Sequence, residues 1–512
     1  MEAASIGRGR PASAVRFVGE AVRSRSRAFW IVAGLTLLGA VLRFATLGAQ
    51  AYHHDEIVTA SRVLRVGFGH AMDAVGFSES APPLYYALAW LWTQVTGNGE
   101  WGLRFLSALA GVATIPVAYL VARDLRGPRA GVIAATLVAT NPMLVWYSQE
   151  ARAYALLGFF CALSLLFCVR ALRDGERRHF VWWGIFSLLA LATHYFAVFP
   201  LLAEMILLAR RRGRAIFSGL WIVGLAVVLL APLAIHQMSY GHAEWIGKFT
   251  LGHRMAEAAI TFMVGETGDI IGRSERVGPA LLPLLLVAAA FVLLLWRGSR
   301  AERRAAFVPL AVVAVTVGIP LLLALLSAGR DFVLARNLLP ALVPLLVAVA
   351  VALSAERARR VGTAIAVVLA AYSLAFCIWA GADPALQRPD WRAVADHLGE
   401  PDGPRATVTW VLGEAPLRFY LSTGAIQLKA SEGYDWLVRE VTFVSMGQAP
   451  PPPRRLLGPG FRETGAEDVG PLFIRRYRLR GPELVPLRLR LLRHARTNFR
   501  NNGVLLDGVG PG

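Results

Sequence analysis

Cysteine is nearly absent from this 512-residue chain, and the three it has, Cys161, Cys168 and Cys377, all sit inside apolar runs. That excludes a disulfide framework or a thiolate metal site and leaves them as small core residues. Lysine is scarcer still, at Lys248 and Lys429 only, so nearly every cation is an arginine, which reflects genome composition more than mechanism. No glycine-rich phosphate loop is present, so a soluble nucleotide ligand is not indicated. Neither an internal repeat nor an inverted second half is visible.

What the chain does have is apolar length. Hydrophobic residues make up 56% of it, in repeated runs near the roughly 20 residues that cross a bilayer. The formal charge of +19 would suit nucleic acid if it lay along one face. Instead it falls in short blocks between the apolar runs, the pattern of cytoplasmic turns in a membrane protein, so no nucleic-acid partner is expected.

Those blocks set the expected topology. Arg8, Arg10, Arg16, Arg23, Arg25 and Arg27 place residues 1–28 in the cytoplasm, and Phe29–Gly48 crosses outward. This run is longer than a signal-peptide core and holds Arg43, so it reads as an uncleaved span with Arg43 snorkelling to the surface. The segment 49–102 is then one long outer loop, in which Pro83–Val95, too short to span, forms an interfacial or re-entrant helix. Further spans are expected near 103–122, 130–146, 153–171, 180–193, 195–209, 215–235, 278–296, 306–326, 338–354 and 361–380. With the first that makes about eleven, with every basic turn on the cytoplasmic side. Residues 381–485 read as a small extracytoplasmic α/β domain, with a helix over 390–398 and alternating strands at 406–412, 441–446 and 472–479. Residues 486–512 read as a basic tail that lies against lipid headgroups or is disordered. The fold class is therefore an α-helical polytopic protein of the plasma (inner) membrane, with its C-terminal domain outside.

The unusual polar groups collect on the outer face. Asp55 and Glu56 follow the first span directly, and carboxylates at the mouth of a span have no packing role of their own. Glu150 and Arg152 lie at a second boundary, and His194 and Tyr195 at the tip between two short apolar legs. A membrane-boundary cavity of this kind suits group transfer from a lipid-linked phosphate. A hydroxyl acceptor needs a carboxylate base, and a departing phosphate needs cationic or hydrogen-bonding donors. Each residue also has a plainer role: Arg152 as the partner of Glu150, His194 as a helix cap, Arg336 as the anchor of a span end. His53 and His54, with the adjacent acids, leave a divalent cation open as a cofactor, although neighbouring histidines on a strand point apart.

Several motifs, in this order and spacing, resemble the membrane glycosyltransferases of the C superfamily (GT-C). They are Leu42-Arg43, Asp55-Glu56, Pro82-Pro83-Leu84-Tyr85-Tyr86, Gly102-Leu103-Arg104-Phe105, Trp146 to Tyr154, Thr193-His194-Tyr195 and Arg336-Asn337-Leu338-Leu339-Pro340. The group most like this chain is that of the protein O-mannosyltransferases and the aminoarabinose lipid A transferases. The resemblance covers about residues 30–380. It implies a polyprenyl-phosphate sugar donor, a glycan, lipid or protein acceptor, and an inverting single displacement by a hexosyl- or pentosyltransferase on the outer face. On this chain it implies Asp55 as base, supported by Glu56 and Glu150, with Arg152, His194, Tyr195 and Arg336 around the donor phosphate. The tip lacks the lysine often found there in relatives, so a pH-sensitive His194 would weaken donor binding at higher pH. The competing readings are a flippase for a lipid-linked glycan, with charges spread through the membrane depth, and a non-catalytic envelope scaffold.

Overall fold

The computed structural model describes residues 12–64, 67–240, 244–266, 273–326, 332–421, 424–428, 436–448, 451, 457, 460–481, 484–487 and 502–508. The apolar runs fold into long helices: α1 (Ala12–Phe44), α5 (Glu100–Arg126), α8 (Tyr154–Asp174), α9 (Arg177–Thr193), α10 (Val198–Arg212), α11 (Phe217–Met238), α13 (Arg273–Arg297), α14 (Arg300–Leu326), α15 (Leu342–Leu353) and α16 (Arg359–Ala382). Among the described residues, eight helical runs are long and apolar enough to cross a membrane, nine with one bent pair. The run 195–238 is a hairpin. Gly213, at φ +53°, breaks it, and the Tyr195 hydroxyl at one end donates to Gln237 Oε1 at the other, 2.9 Å away. Counting its two arms separately, and adding the 17-residue α9, gives the eleven crossings expected. Buried Glu204 of α10 pins this region by accepting from Trp183 Nε1 of α9 (2.8 Å) and Ser164 Oγ of α8 (3.2 Å). Helix α15 runs through the centre with nearly every side chain buried. Cys161 and Cys168 are buried core residues, as expected.

The span expected over 130–146 is broken. Helix α6 (Pro128–Thr140) stops before Asn141-Pro142, and α7 (Pro142–Ser148) leaves at 57°. Proline cannot donate into the preceding turn, so the last carbonyls of α6 need other partners. Arg43 supplies them. Contrary to the expectation that it snorkels, it is fully buried, and donates to Val138 O (3.1 Å), Ala139 O (3.0 Å), Gly39 O (3.0 Å) and Ser148 Oγ (3.1 Å). Cys377 Sγ lies 3.3 Å from the next carbonyl, Thr140 O. Asn141 starts α7 by accepting the Leu144 N–H (3.0 Å). Gly111 of α5 has no side chain where one would strike Ser148 Oγ, so α7 packs close.

The first loop holds three helical pieces: α2 (His54–Ile57), which runs on as a wide turn to Val63, α3 (Phe68–Ser78) and α4 (Leu84–Thr96), the last where the interfacial helix is expected. Helix α1 ends at Phe44 rather than Gly48, because Gln149 Nε2 takes its final carbonyls Leu42 O (3.2 Å) and Arg43 O (3.1 Å). The loop between α11 and α13 carries α12 (Leu251–Val264), tied to α7 by Asn141 Nδ2 donating to Phe262 O (3.0 Å).

Beyond α16 the chain forms a separate unit. It contains α17 (Trp391–Leu398), α18 (Val411–Tyr420) and strands β1 (Arg405–Trp410), β2 (Ile426–Leu428), β3 (Trp436–Val438), β4 (Glu440–Met446), β5 (Phe461–Val469), β6 (Leu472–Leu479), β7 (Val485–Leu487) and β8 (Asn502–Asp507). The main sheet has the order β2-β8-β1-β4-β6-β5, with β1 and β4 parallel and the other neighbours antiparallel. The strand expected over 406–412 ends at Trp410, where α18 begins. The boundary expected at residue 485 is also moved: β8 lies inside the sheet between β1 and β2, and Arg405 of β1 pairs with its Asp507 at 3.1 Å. Residues 488–501, the basic stretch expected at lipid headgroups, lie outside the described residues.

Arg43→Met keeps the length of the side chain but strips two α6 carbonyls of their donor. A buried group left unsatisfied costs about 1–3 kcal/mol each. The expected outcome is a clear fall in the thermal midpoint of the detergent-solubilised protein; an unchanged midpoint contradicts the role given to Arg43.

Candidate active site

The two adjacent acids take opposite roles. His53 starts α2 in an extended conformation, with Nδ1 accepting the Asp55 N–H (3.4 Å) and its own N–H donated to Glu56 Oε2 (2.9 Å). Consecutive residues on a helix point about 100° apart, so Glu56 and Asp55 cannot face the same way. Glu56 turns inward, 0% exposed, against Arg104 of α5, which is 1% exposed. Arg104 Nε donates to Oε1 (2.8 Å) and Nη2 to Oε2 (2.7 Å). Its remaining donors reach Leu47 O (3.1 Å), Gln50 O (2.8 Å) and Ala51 O (3.0 Å). The Ala151 N–H also donates to Glu56 Oε1 (2.8 Å). Burial opposes ionisation of Glu56, but the Arg104 guanidinium outweighs it and holds the carboxyl at about 2. Expected to support the base, Glu56 instead locks the first loop to the bundle.

Asp55 turns outward. Its Oδ2 accepts from Arg336 Nη1 at 3.0 Å, and the two side chains are 27% and 31% exposed, whereas the Glu56 and Glu150 carboxylates are buried in their pairs. Burial opposes its charge, but Arg336 first and Arg152 next hold it well below the usual carboxylate range, so it is ionised at every physiological pH.

The other expected residues surround this pair with most of their bonds made. Arg152 does not pair with Glu150. Its Nη2 meets Glu79 Oε2 at 2.9 Å, and its Nη1 donates to Thr59 Oγ1 (3.1 Å) and Asp55 O (3.4 Å), so it braces α2. Glu79 also accepts from the Tyr86 hydroxyl (2.7 Å). Glu150 is buried against Arg388, whose Nη2 donates to its Oε2 at 3.2 Å. His194 is buried beside Tyr154 and Phe196, and its Nδ1 accepts the Phe196 N–H (3.2 Å), which leaves Nε2 to carry the proton. Burial first, then Arg152 and Arg336, lower it to about 3. It is therefore neutral from pH 5 upward, and the expected weakening of donor binding at higher pH through His194 does not arise. Tyr195, expected at the donor phosphate, is committed to Gln237, which donates in turn to Val75 O (2.8 Å) and Ala81 O (3.1 Å) of the first loop. Glu266, after α12, accepts from the Tyr147 hydroxyl (3.0 Å).

Among the described residues, no three His, Cys, Asp or Glu side chains come together as a metal-binding group. The His53 ring caps α2 and Asp55 faces Arg336, so these residues do not fit a metal as they stand. Sequence reasoning assigned no role to Arg104 or Arg388. For Arg104 the signal is an arginine just inside an apolar run; for Arg388 there is none.

Residues 80–237 match the model of the dolichyl-phosphate-mannose-protein mannosyltransferase family. YkcB of Bacillus subtilis (strain 168), named as a mannosyltransferase, is 30% identical over 110 residues, 21% of this chain and 15% of that protein. YycA of the same organism, named likewise, is 24% identical over 212 residues, 39% of this chain and 30% of that protein. The matches thus span under a third of either relative's length. Among solved structures, ArnT from Cupriavidus metallidurans in the apo state superposes with a TM-score of 0.54 and 13% identity, covering 88% of this chain and 98% of that one. ArnT bound to undecaprenyl phosphate superposes at 0.51 and 14% identity, covering 87% and 97%. The likeness to ArnT is one of fold.

Glu56 provides an acid-sensitive test of the lock. Because its folded pKa is depressed, its contribution to stability is full above about pH 4.5 and is lost as pH falls toward 2. Arg104→Met leaves a buried carboxylate unpaired, at a cost of about 3–5 kcal/mol. The expected result is a large loss of stability at pH 7 that shrinks toward pH 3; a midpoint equal to wild type at pH 7 contradicts the lock.

Proposed function

We propose that this chain, which carries a domain of the dolichyl-phosphate-mannose-protein mannosyltransferase family on the fold of the GT-C membrane glycosyltransferases, transfers a sugar from a polyprenyl-phosphate donor to a hydroxyl acceptor at the outer membrane face. The observation that carries the reading is the Asp55–Arg336 pair: one carboxylate and one guanidinium, 3.0 Å apart and under a third exposed at a membrane boundary. The bound form of ArnT supports the donor class, since its ligand is undecaprenyl phosphate. The orientation is supported by the far end of the bundle, where the basic turns gather. Arg126 pairs with Glu302 (2.7 Å), Arg170 with Asp124 (2.8 Å), and Arg129 donates to Arg359 O (2.5 Å).

In the proposed reaction the acceptor oxygen attacks the anomeric carbon as the bond from that carbon to the phosphate oxygen breaks, which inverts the configuration. Asp55 takes the hydroxyl proton, and the departing polyprenyl phosphate keeps the electron pair. While paired with Arg336, Asp55 is a weak base. A donor phosphate competes for the same guanidinium, so donor binding loosens the pair and returns basicity to Asp55 when it is needed. The hydroxyl itself becomes acidic as its bond to carbon forms. Arg336 then faces the charge that develops on the leaving phosphate, with the His194 Nε2–H as a neutral donor beside it. Glu56, Glu150 and Arg152 act by fixing the loop.

Asp55→Asn keeps the shape and removes the base. It is expected to lower kcat by about 100-fold or more while donor affinity is kept or tightened, since the neutral amide competes less with phosphate for Arg336. Wild-type turnover in this variant rules out the assignment. Arg336→Ala removes a charged hydrogen bond, so donor affinity is expected to fall about 10-fold or more while the acceptor KM holds; a change confined to the acceptor contradicts it. Since Asp55 is held low and His194 stays neutral, the acid limb of kcat/KM is expected below pH 4 rather than near 6.

A further inference from the structure

The run Ala49-Gln50-Ala51-Tyr52, immediately before the acidic pair, is held residue by residue by the chain beyond the last span. Arg392 Nη2 donates to Ala49 O (3.1 Å). Gln50 Oε1 accepts from the Arg388 backbone N–H and from its Nη1, both at 3.3 Å. Ala51 is fully buried in the apolar core that Trp391, Val394 and Trp410 build in the C-terminal unit. The Tyr52 N–H donates to the Tyr420 hydroxyl (2.8 Å), which donates in turn to Glu100 Oε1 (2.8 Å). Arg388, only 4% exposed, reaches a second segment as well. Its guanidinium lies 4.2 Å over the Trp146 ring, Nη1 donates to Gln149 O (3.3 Å) and Nη2 pairs with Glu150.

This segment has no strand or helix of its own to hold it. Its carbonyls at Gln50 and Ala51 go to Arg104 of the bundle, while Ala49 O, Gln50 Oε1 and the Tyr52 N–H go to the C-terminal unit. An irregular run fixed from two sides cannot shift without breaking buried bonds on both. It leads into Asp55 three residues later, and the turn held through Glu150 leads into Arg152 two residues later. A misplacement of about 1 Å in a reacting group can cost 100-fold in rate.

We infer that the C-terminal unit, through Arg388 and Tyr420, is a positioning splint for the active site: it sets where Asp55 stands, and turnover depends on its being docked. The inference rests on the proposed reaction for its kinetic part only. Arg388 and Tyr420 touch no reacting atom and are positioning residues.

The test uses the full chain in lipid nanodiscs, with Arg388→Gln, Tyr420→Phe, the double variant and Arg388→Lys. Hydrogen exchange is followed over residues 50–58 and over α5, alongside kcat and the donor KM. For the double variant the expected result is loss of protection over 50–58 with α5 unchanged, kcat down at least about 10-fold and donor KM within about threefold. Arg388→Lys, which keeps the charge facing Glu150 but not the planar fork, is expected to recover part of kcat. If α5 also loses protection, Tyr420→Phe alone, which removes one hydroxyl, is the variant that decides. Unchanged protection over 50–58, or lost protection with wild-type kcat, overturns the splint. Failure of the wild type to turn over any polyprenyl-phosphate sugar counts against the reaction instead, and the exchange data still decide the docking.

Discussion

All five N–H donors of Arg104 are used on the first loop, two on the Glu56 carboxylate and three on the carbonyls of Leu47, Gln50 and Ala51. The rest of the site depends on this buried pair. It fixes the irregular run before α2, so that Asp55, the adjacent residue on the helix, points outward. A buried ion pair contributes little net stability compared with an apolar packing of the same volume, because two charges must leave water. What it provides is a single geometry, since a displaced guanidinium would leave several buried acceptors unsatisfied. Glu56 and Asp55 thus divide the work: one carboxylate is closed to solvent and holds the loop, and its neighbour is open and able to exchange its partner.

The same economy of arginine runs through the bundle. Arg43 takes the carbonyls freed where α6 breaks, which lets α7 turn and carry the Trp146 to Tyr154 segment to the site. Arg152 braces α2 through Thr59 and Glu79. Arg388 joins both loop segments to the C-terminal unit. Arg336, by contrast, meets Asp55 in a partly exposed pair, and in the proposed reaction an incoming phosphate takes over this cation. That arrangement suits a reaction in which substrate binding, rather than the resting fold, creates the base.

Much of the fold was legible in the chain because its signals are local. Runs of about twenty apolar residues and arginine-rich turns mark spans whatever the rest of the protein does, and the out-and-back pair over 180–209, α9 and α10, followed from charge parity alone. The break at Asn141-Pro142 was also written locally, as a proline after a capping residue, but the apolar pattern on both sides ran over it. Strand β8 was hidden because six residues after a basic stretch carry too little pattern, and its place in the sheet comes from β1, about a hundred positions earlier. The site was legible as a set of residues and illegible as a set of pairs. Arg104 meets Glu56 across 48 positions and Arg388 meets Glu150 across 238, and nothing in either neighbourhood names the partner. Without those pairings, Glu56 and Glu150 read as catalytic acids and Arg152 as a phosphate ligand; with them, all three hold the loop.

The measurement that tests this account most directly is release of polyprenyl phosphate, read by mass spectrometry. The purified full-length chain in nanodiscs is supplied with a panel of polyprenyl-phosphate sugars, with and without envelope extracts as acceptor. The account predicts that at least one donor yields polyprenyl phosphate when acceptor is present, with the sugar inverted at its anomeric carbon in the product. Donors that bind yet release nothing with acceptor supplied, or a product of retained configuration, would contradict it.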